Sequence, residues 1–208
     1  MNEFLALFLV SLSAVFFVVD PIGVVPIFLA VSSHDSPEKM RSTAARACLV
    51  GGALLMFFAL FGGFIFKIMG VNLSAFRVAG GILLLMTALD MLRARTSETR
   101  NTPGETEEAA HKDDVAIVPL AVPLLAGPGA IATVMVLMSK GRAVVTAVPV
   151  LVSILLTFIA SYFLLRGAIY VQRALKASGV AIMQRVMGLI LAAIAVQFMA
   201  EGGRDLLR

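Results

Sequence analysis

Apolar residues in this chain come in long runs, with neither a period of two nor a single amphipathic stripe. Stretches free of Asp, Glu, Lys and Arg cover 4–19, 21–34, 47–66, 78–89, 115–139, 143–165 and 186–200. A helix crosses the roughly 30 Å hydrocarbon core of a bilayer with about 20 mostly apolar residues. The runs 47–66, 115–139 and 143–165 meet that length unaided. Runs 4–19 and 21–34 are separated by one charge, Asp20, and read as a single interrupted span. Runs 78–89 and 186–200 are short, but each extends N-terminally through a lone arginine, Arg77 or Arg185. The pattern predicts six spans, at about 4–32, 45–67, 71–92, 115–138, 143–166 and 179–200. Each is apolar all round, which excludes an amphipathic anchor lying on the membrane surface. The fold class expected is an all-α integral membrane protein.

Composition agrees. Of 208 residues, 60% are hydrophobic and 14% charged, where a soluble domain is about 45–50% apolar. A soluble enzyme and a disordered chain are excluded. The net charge of +4 does not indicate a nucleic-acid partner, because the basic residues sit in short gaps between apolar runs and build no basic face. A single cysteine excludes a disulfide framework and a CxxC zinc site. The first span has no basic segment before it and is too long for a signal-peptide core, so it reads as a retained helix.

The segment 93–114 differs in kind. It holds ten of the thirty charges, with Pro103 and Gly104, and reads as a polar cytoplasmic linker. Its Glu107, Glu108, His111, Asp113 and Asp114 read as a solvated acidic loop. It divides the chain into a first three-helix unit, 1–92, and a second, 115–208. With both termini outside, eleven of the 17 Lys and Arg residues fall in inside regions, which is the orientation the positive-inside rule favours. The expected location is the bacterial inner membrane, with both termini periplasmic.

The two units resemble one another. Arg77-Val-Ala-Gly80-Gly-Ile-Leu in the third span matches Arg185-Val-Met-Gly188-Leu-Ile-Leu in the sixth, and Asp20-Pro21 in the first falls on Gly127-Pro128 in the fourth. Each unit has an odd number of spans, so the second enters the membrane from the opposite face. The expectation is a pair of inverted repeats, an arrangement that can build two related conformations, each open to one side. Chance likeness between Leu- and Gly-rich helices is the plain alternative.

Helices 1 and 4 are expected to be broken near the midplane. In the first, Asp20-Pro21-Ile22-Gly23 interrupts the run. Proline has no N–H and clashes with the carbonyl four residues back, while Asp followed by Pro is a favoured N-cap and first-turn pair. In the fourth, Pro119 and Pro123 precede Ala126-Gly127-Pro128-Gly129-Ala130. Broken backbone at membrane depth is tolerated only where protein covers it or it lines a cavity. Each new helix start offers unpaired N–H groups to an anion. Asp20 is the one acidic residue deep in any span, and it suits a substrate ammonium, a sodium ion or a transported proton. The two together suit a zwitterion. The plainer readings are that Asp20 only caps a helix and that Gly127 and Gly129 only kink one.

The DPIG motif at 20–23, the AGPGA motif at 126–130 and Arg77-Val-Ala-Gly-Gly resemble the MarC (UPF0056) family of six-span bacterial inner-membrane proteins over essentially the whole chain. The resemblance implies a small-solute transporter within the lysine-exporter superfamily, some of whose members move neutral amino acids.

Other residues read plainly. Asn72 and Ser74 are expected to cap the third span. Arg77 and Arg185 are expected to reach the headgroups, with pairing to Asp20 or Asp90 as the sharper alternative. Asp90 is expected to meet Arg93 or water. Gln197 is expected to make an interhelical hydrogen bond. Cys48 and the 11 methionines read as core. His34 and His111 fall in loops and build no metal or proton site. There is no GxxxxGK[ST] loop, so transport is passive or driven by an ion gradient. No hydrolase motif (GxSxG or HExxH) occurs, and the chain is read as no enzyme. The reading that follows is an ion-coupled transporter of a neutral amino acid. Its substrate-binding residues are Asp20, Pro21, Ile22, Gly23, Ala126, Gly127, Pro128, Gly129 and Ala130, with no cofactor or metal beyond a coupling proton or sodium. Small residues on spans two, three and six leave room for a homo-oligomer. A non-transporting membrane scaffold or assembly protein is the alternative.

Overall fold

The computed structural model describes residues 3–33, 35–93, 116–139 and 143–207. The linker expected at 93–114, except Arg93, and His34 lie outside the described residues. Every regular element described is helical: α1 Glu3–Val19, α2 Pro21–Val31, α3 Pro37–Met69, α4 Leu73–Leu92, a proline-rich segment Ala116–Leu125, α5 Pro128–Ser139, α6 Ala143–Arg166 and α7 Ala168–Leu206. Five stretches are long and apolar enough to cross a membrane, and the bent pair of proline segment and α5 makes a sixth. The chain is an all-α, multi-pass integral membrane protein.

Helix ends follow the local sequence. Ser36 caps α3 with its hydroxyl accepting from the Lys39 N–H, and Pro37 takes the first helical position, where a missing N–H costs nothing. Asn72 accepts from the Ser74 N–H at 2.8 Å and caps α4 as expected, with Ser74 inside the helix rather than before it. Gly70 ends α3 at φ 66°, the left-handed position glycine adopts without strain. The sixth span differs from its expected start. α7 begins at Ala168 and carries a non-helical residue, Lys176 at φ 55°, so the membrane-crossing part is Ser178–Leu206.

Close helix approaches occur where side chains vanish. Along the α4 and α7 contact, the most extensive in the molecule, a Cβ on Gly81 would sit 2.9 Å from the Ala195 carbonyl oxygen. One on Gly188 would sit 2.9 Å from that of Ala88. Small residues at a membrane helix crossing let backbones come within van der Waals range. α3 packs on α6, where Gly51 and Gly52 receive the Phe158 ring. α1 and α2 pack on α6, and α3 packs on the proline segment and α5.

The burial pattern is that of a protein solvated by lipid. Leu49, Phe64, Ile68 and Leu189 are exposed, as apolar side chains facing hydrocarbon are. The first span is the interior one: 61% of its apolar window is buried, against 28–44% for the other four single spans. Residues 132–137 of α5 are also buried throughout. The two interrupted spans therefore form the centre, wrapped by α3, α4, α6 and α7.

Candidate functional site

The break in the first span is built around one residue. Asp20 stands in the left-handed region at φ 50° and ψ 58°, which non-glycine residues enter at a cost and Asp more readily than most. Its own N–H still reaches the Phe16 carbonyl at 3.0 Å, and the Val24 N–H reaches the Asp20 carbonyl at 3.2 Å. Pro21 donates nothing, and the Gly23 N–H goes to the Asp20 Oδ1 at 3.0 Å. Asp20 is thus the N-cap of α2, with its carboxylate laid over the helix start. A Cβ on Gly23 would run into that carboxylate, which explains a glycine three residues after the Asp. Among the buried residues described, Asp20, 3% exposed, is the one with a charged side chain.

The second break has the same start and a different lead-in. The Ile131 N–H bonds to the Gly127 carbonyl at 3.0 Å, so Gly127 is the cap residue and Pro128 opens α5. Gly127 has no side chain to lay over the helix start. The N–H groups of Gly129 and Ala130 have no acceptor within the helix. Before the break the chain is not an ordinary α-helix. Val118 and Val122, each preceding a proline, are extended at φ −126° and −130°, as residues before proline prefer. The proline segment and α5 meet at 53°, whereas the first span continues through its break as one 28-residue stretch, Phe4–Val31.

A small, partly open cavity lies at the second break, with one wall residue from the first span. Val18 from the end of α1, Leu83, Leu84 and Thr87 from α4, and Gly127, Pro128, Gly129 and Ala130 line it. Its volume is about 30 Å³, room for about one water molecule. Of the residues expected at the site, those at 127–130 line this cavity. Asp20, Pro21, Ile22, Gly23 and Ala126 do not, although Val18 brings the first break to its wall. Sequence reasoning missed Leu83, Leu84 and Thr87. Thr87 is buried and donates to the Leu83 carbonyl, and a lone threonine in an apolar run carries no signal by itself. α6 adds buried hydroxyls at Thr146, Ser153, Thr157 and Ser161, spaced to share one helix face.

Two polar expectations are corrected. Arg77 is held inside: its side chain is 13% exposed, pairs with Asp205 at 2.9 Å, and donates to the Ser139 hydroxyl at 3.0 Å. Neither Asp20 nor Asp90 is the partner. The start of α4 is thereby tied to the ends of α5 and α7. Arg185 is exposed, consistent with the headgroup reading. Gln197 bonds within its own helix, to Glu201 at 2.8 Å, because a partner one turn away costs less side-chain ordering than one on a neighbouring helix.

Comparison with known proteins defines the class as an integral membrane family: residues 4–207 match the model described as MarC family integral membrane protein. The chain belongs to the MarC family. It is 40% identical over 201 residues to UPF0056 membrane protein MJ1677 of Methanocaldococcus jannaschii, covering 96% of this chain and 97% of that one. It is 33% identical to a UPF0056 membrane protein of Aquifex aeolicus, over 100% and 97% of the two chains. UPF0056 membrane protein YhcE of Escherichia coli is 30% identical over 90% of this chain and 87% of its own. The relatives include archaeal as well as bacterial proteins, so the family is wider than the bacterial inner membrane. No solved structure gives a significant match.

Proposed function

We propose that this MarC-family protein is a secondary transporter of a small zwitterionic metabolite, a neutral amino acid before others, coupled to a proton or sodium gradient. The observation that carries the reading is that both interrupted spans are central, with a cavity at the second break that Val18 of the first span helps to line. Interrupted helices at the middle of a bundle are how secondary transporters present backbone groups and helix ends to a solute. In this reading the N–H groups of Gly129 and Ala130 hold the substrate carboxylate, and Asp20, while capping α2, holds the ammonium or the coupling ion. No reaction is catalysed. The helix pairings support an inverted repeat of 1–92 and 115–208: third span on sixth, first on fifth, and second on fourth. Exchanging the halves maps that set onto itself. The reading places the chain in the cytoplasmic membrane with both termini outside.

Replacing Asp20 by Asn keeps a capping side chain that tolerates the left-handed backbone and removes the charge. In proteoliposomes with an imposed proton or sodium gradient, D20N is expected to express and fold normally and to lose uptake. Undiminished uptake would sink the assignment.

The non-transporting scaffold is favoured by one observation, the 30 Å³ volume, which no amino acid fits. The transporter reading takes this as the closed state. A panel of amino acids scored by thermal shift in detergent separates the two, since a ligand bound by the native state raises its Tm and a scaffold gains nothing from any of them.

A further inference from the structure

We propose that the face between α3 and α6 binds an anionic membrane phospholipid, one acyl chain lying between the helices and the phosphate resting on arginines at one end. The inference stands apart from the transport reading and concerns a different place in the molecule.

A groove of about 580 Å³ runs along this face, lined by Ala45, Cys48 and Gly52 of α3 and by Phe158, Tyr162 and Phe163 of α6, among others. It is hollow where α3 presents Ala45, Cys48, Gly52 and Ala53 between Leu49 and Met56, opposite the large side chains of α6. A Cβ on Gly52 would sit 3.2 Å from the Phe158 ring, so that ring lies against the α3 backbone and forms the floor. Both walls belong to membrane-crossing stretches, Pro37–Met69 and Thr146–Arg166. The groove therefore opens to hydrocarbon, and the tails of bilayer lipids reach it directly.

Charge gives the groove a direction. Spans two and five cross the membrane in opposite senses, with Gly52 against Phe158. At 1.5 Å per residue, Arg46 and Arg41 lie about 9 and 16 Å from that crossing along α3, and Arg166 lies about 12 Å from it along α6. All three come to the same end. Arg41 stands one turn before Ala45 and Arg166 one turn after Tyr162, so both continue the groove's own face. Arg41 and Arg166 are exposed. At the start of α3, Asp35 is paired with Lys39 at 2.7 Å, and Glu38 lies a turn further out than Arg41. Beyond Met56 at the other end, α3 stays uncharged to Lys67. A basic collar at one end of an interhelical groove is the arrangement that holds phosphate headgroups, and the guanidinium fork matches phosphate oxygens in pairs. A second copy of the chain fits less well, because a two-fold axis along the membrane normal would bring like collars together.

The test uses the full chain in detergent with phosphatidylglycerol and phosphatidylcholine of identical acyl chains. Native mass spectrometry reads bound lipid and thermal shift reads stability. Wild type is expected to retain phosphatidylglycerol in preference and to gain Tm from it. In R41Q/R166Q that preference is expected to fall about fivefold per arginine. Ala53→Phe fills the groove from its exposed side and is expected to lower retention of both lipids with the lipid-free Tm unchanged. Ala45→Phe does the same from a second position should the first variant lose Tm. Equal retention of the two lipids by wild type, or an unchanged preference in R41Q/R166Q, would overturn the proposal. So would a dimer in solution that A53F dissociates, since the occupant would then be a second copy.

Discussion

Asp20 caps α2 with its carboxylate and, in the transport reading, also holds the ammonium or the coupling ion; its variants separate the two. As a cap it closes α2 through the Gly23 N–H. D20A is expected to lose about 1 kcal/mol of stability relative to D20N, the usual worth of an N-cap, read as a lower Tm in detergent. Gly23→Ala attacks the same bond from the other side, because the new methyl would displace the carboxylate. It too is expected to cost about 1 kcal/mol, with the charge still present. A G23A protein as stable as wild type would mean that the cap contributes nothing. The break at Asp20 and its capping role were legible in the sequence, since Asp followed by Pro is a favoured helix start. Its left-handed backbone was not, because Asp-Pro is equally at home with an extended cap residue.

Elements were legible to different degrees, and the reason is how each is held. Span count came from gaps in the charges, because a bilayer penalises charge whatever the tertiary contacts. α3 nonetheless starts at Pro37, well before the expected 45, since Ser36 and Pro37 start the helix before the apolar run begins. The fourth span was expected to break near the midplane, and the extended Val118 and Val122 show its prolines disturbing the helix before that break as well. Arg77 was misassigned because Asp205 is 128 residues away in sequence, beyond the reach of any local pattern. Removing that tie frees three helix ends at once. R77Q is expected to lower stability by on the order of 1–2 kcal/mol, as for a hydrogen-bonded charge. R77K recovers only part, because one ammonium cannot reproduce the forked contact to Asp205 and Ser139. At the α4 and α7 crossing, Gly188→Leu would force the backbones apart at Ala88. It is expected to cost more than any substitution on the lipid-facing side of α7, such as Leu189→Ala, by thermal unfolding.

Across the whole molecule, two interrupted spans lie at the centre with four around them and a cavity of about 30 Å³ at the second break, which the transport reading takes as a closed form. Any solute the size of an amino acid requires α4 to separate from α5, since the Leu84 side chain lies 3.0 Å from where a Cβ on Gly129 would be. Cysteines at 84 and 129, joined by a short reducible thiol cross-linker, are expected to stop uptake in proteoliposomes and to restore it on reduction. Each single cysteine variant should show the same uptake with and without the cross-linker, whatever its own level. Unimpaired uptake by the cross-linked protein would show that the site lies elsewhere. The central position of the first span also bears on how the chain is made. That span leaves the ribosome before α5, α6 and α7, which cover it. Until they arrive its charged side chain faces lipid or the insertion machinery, where a mid-bilayer Asp costs about 2.5–3.5 kcal/mol. Insertion of this protein is therefore provisional until α7 is in place, and chains that stall after the third span are the ones a quality-control protease should find.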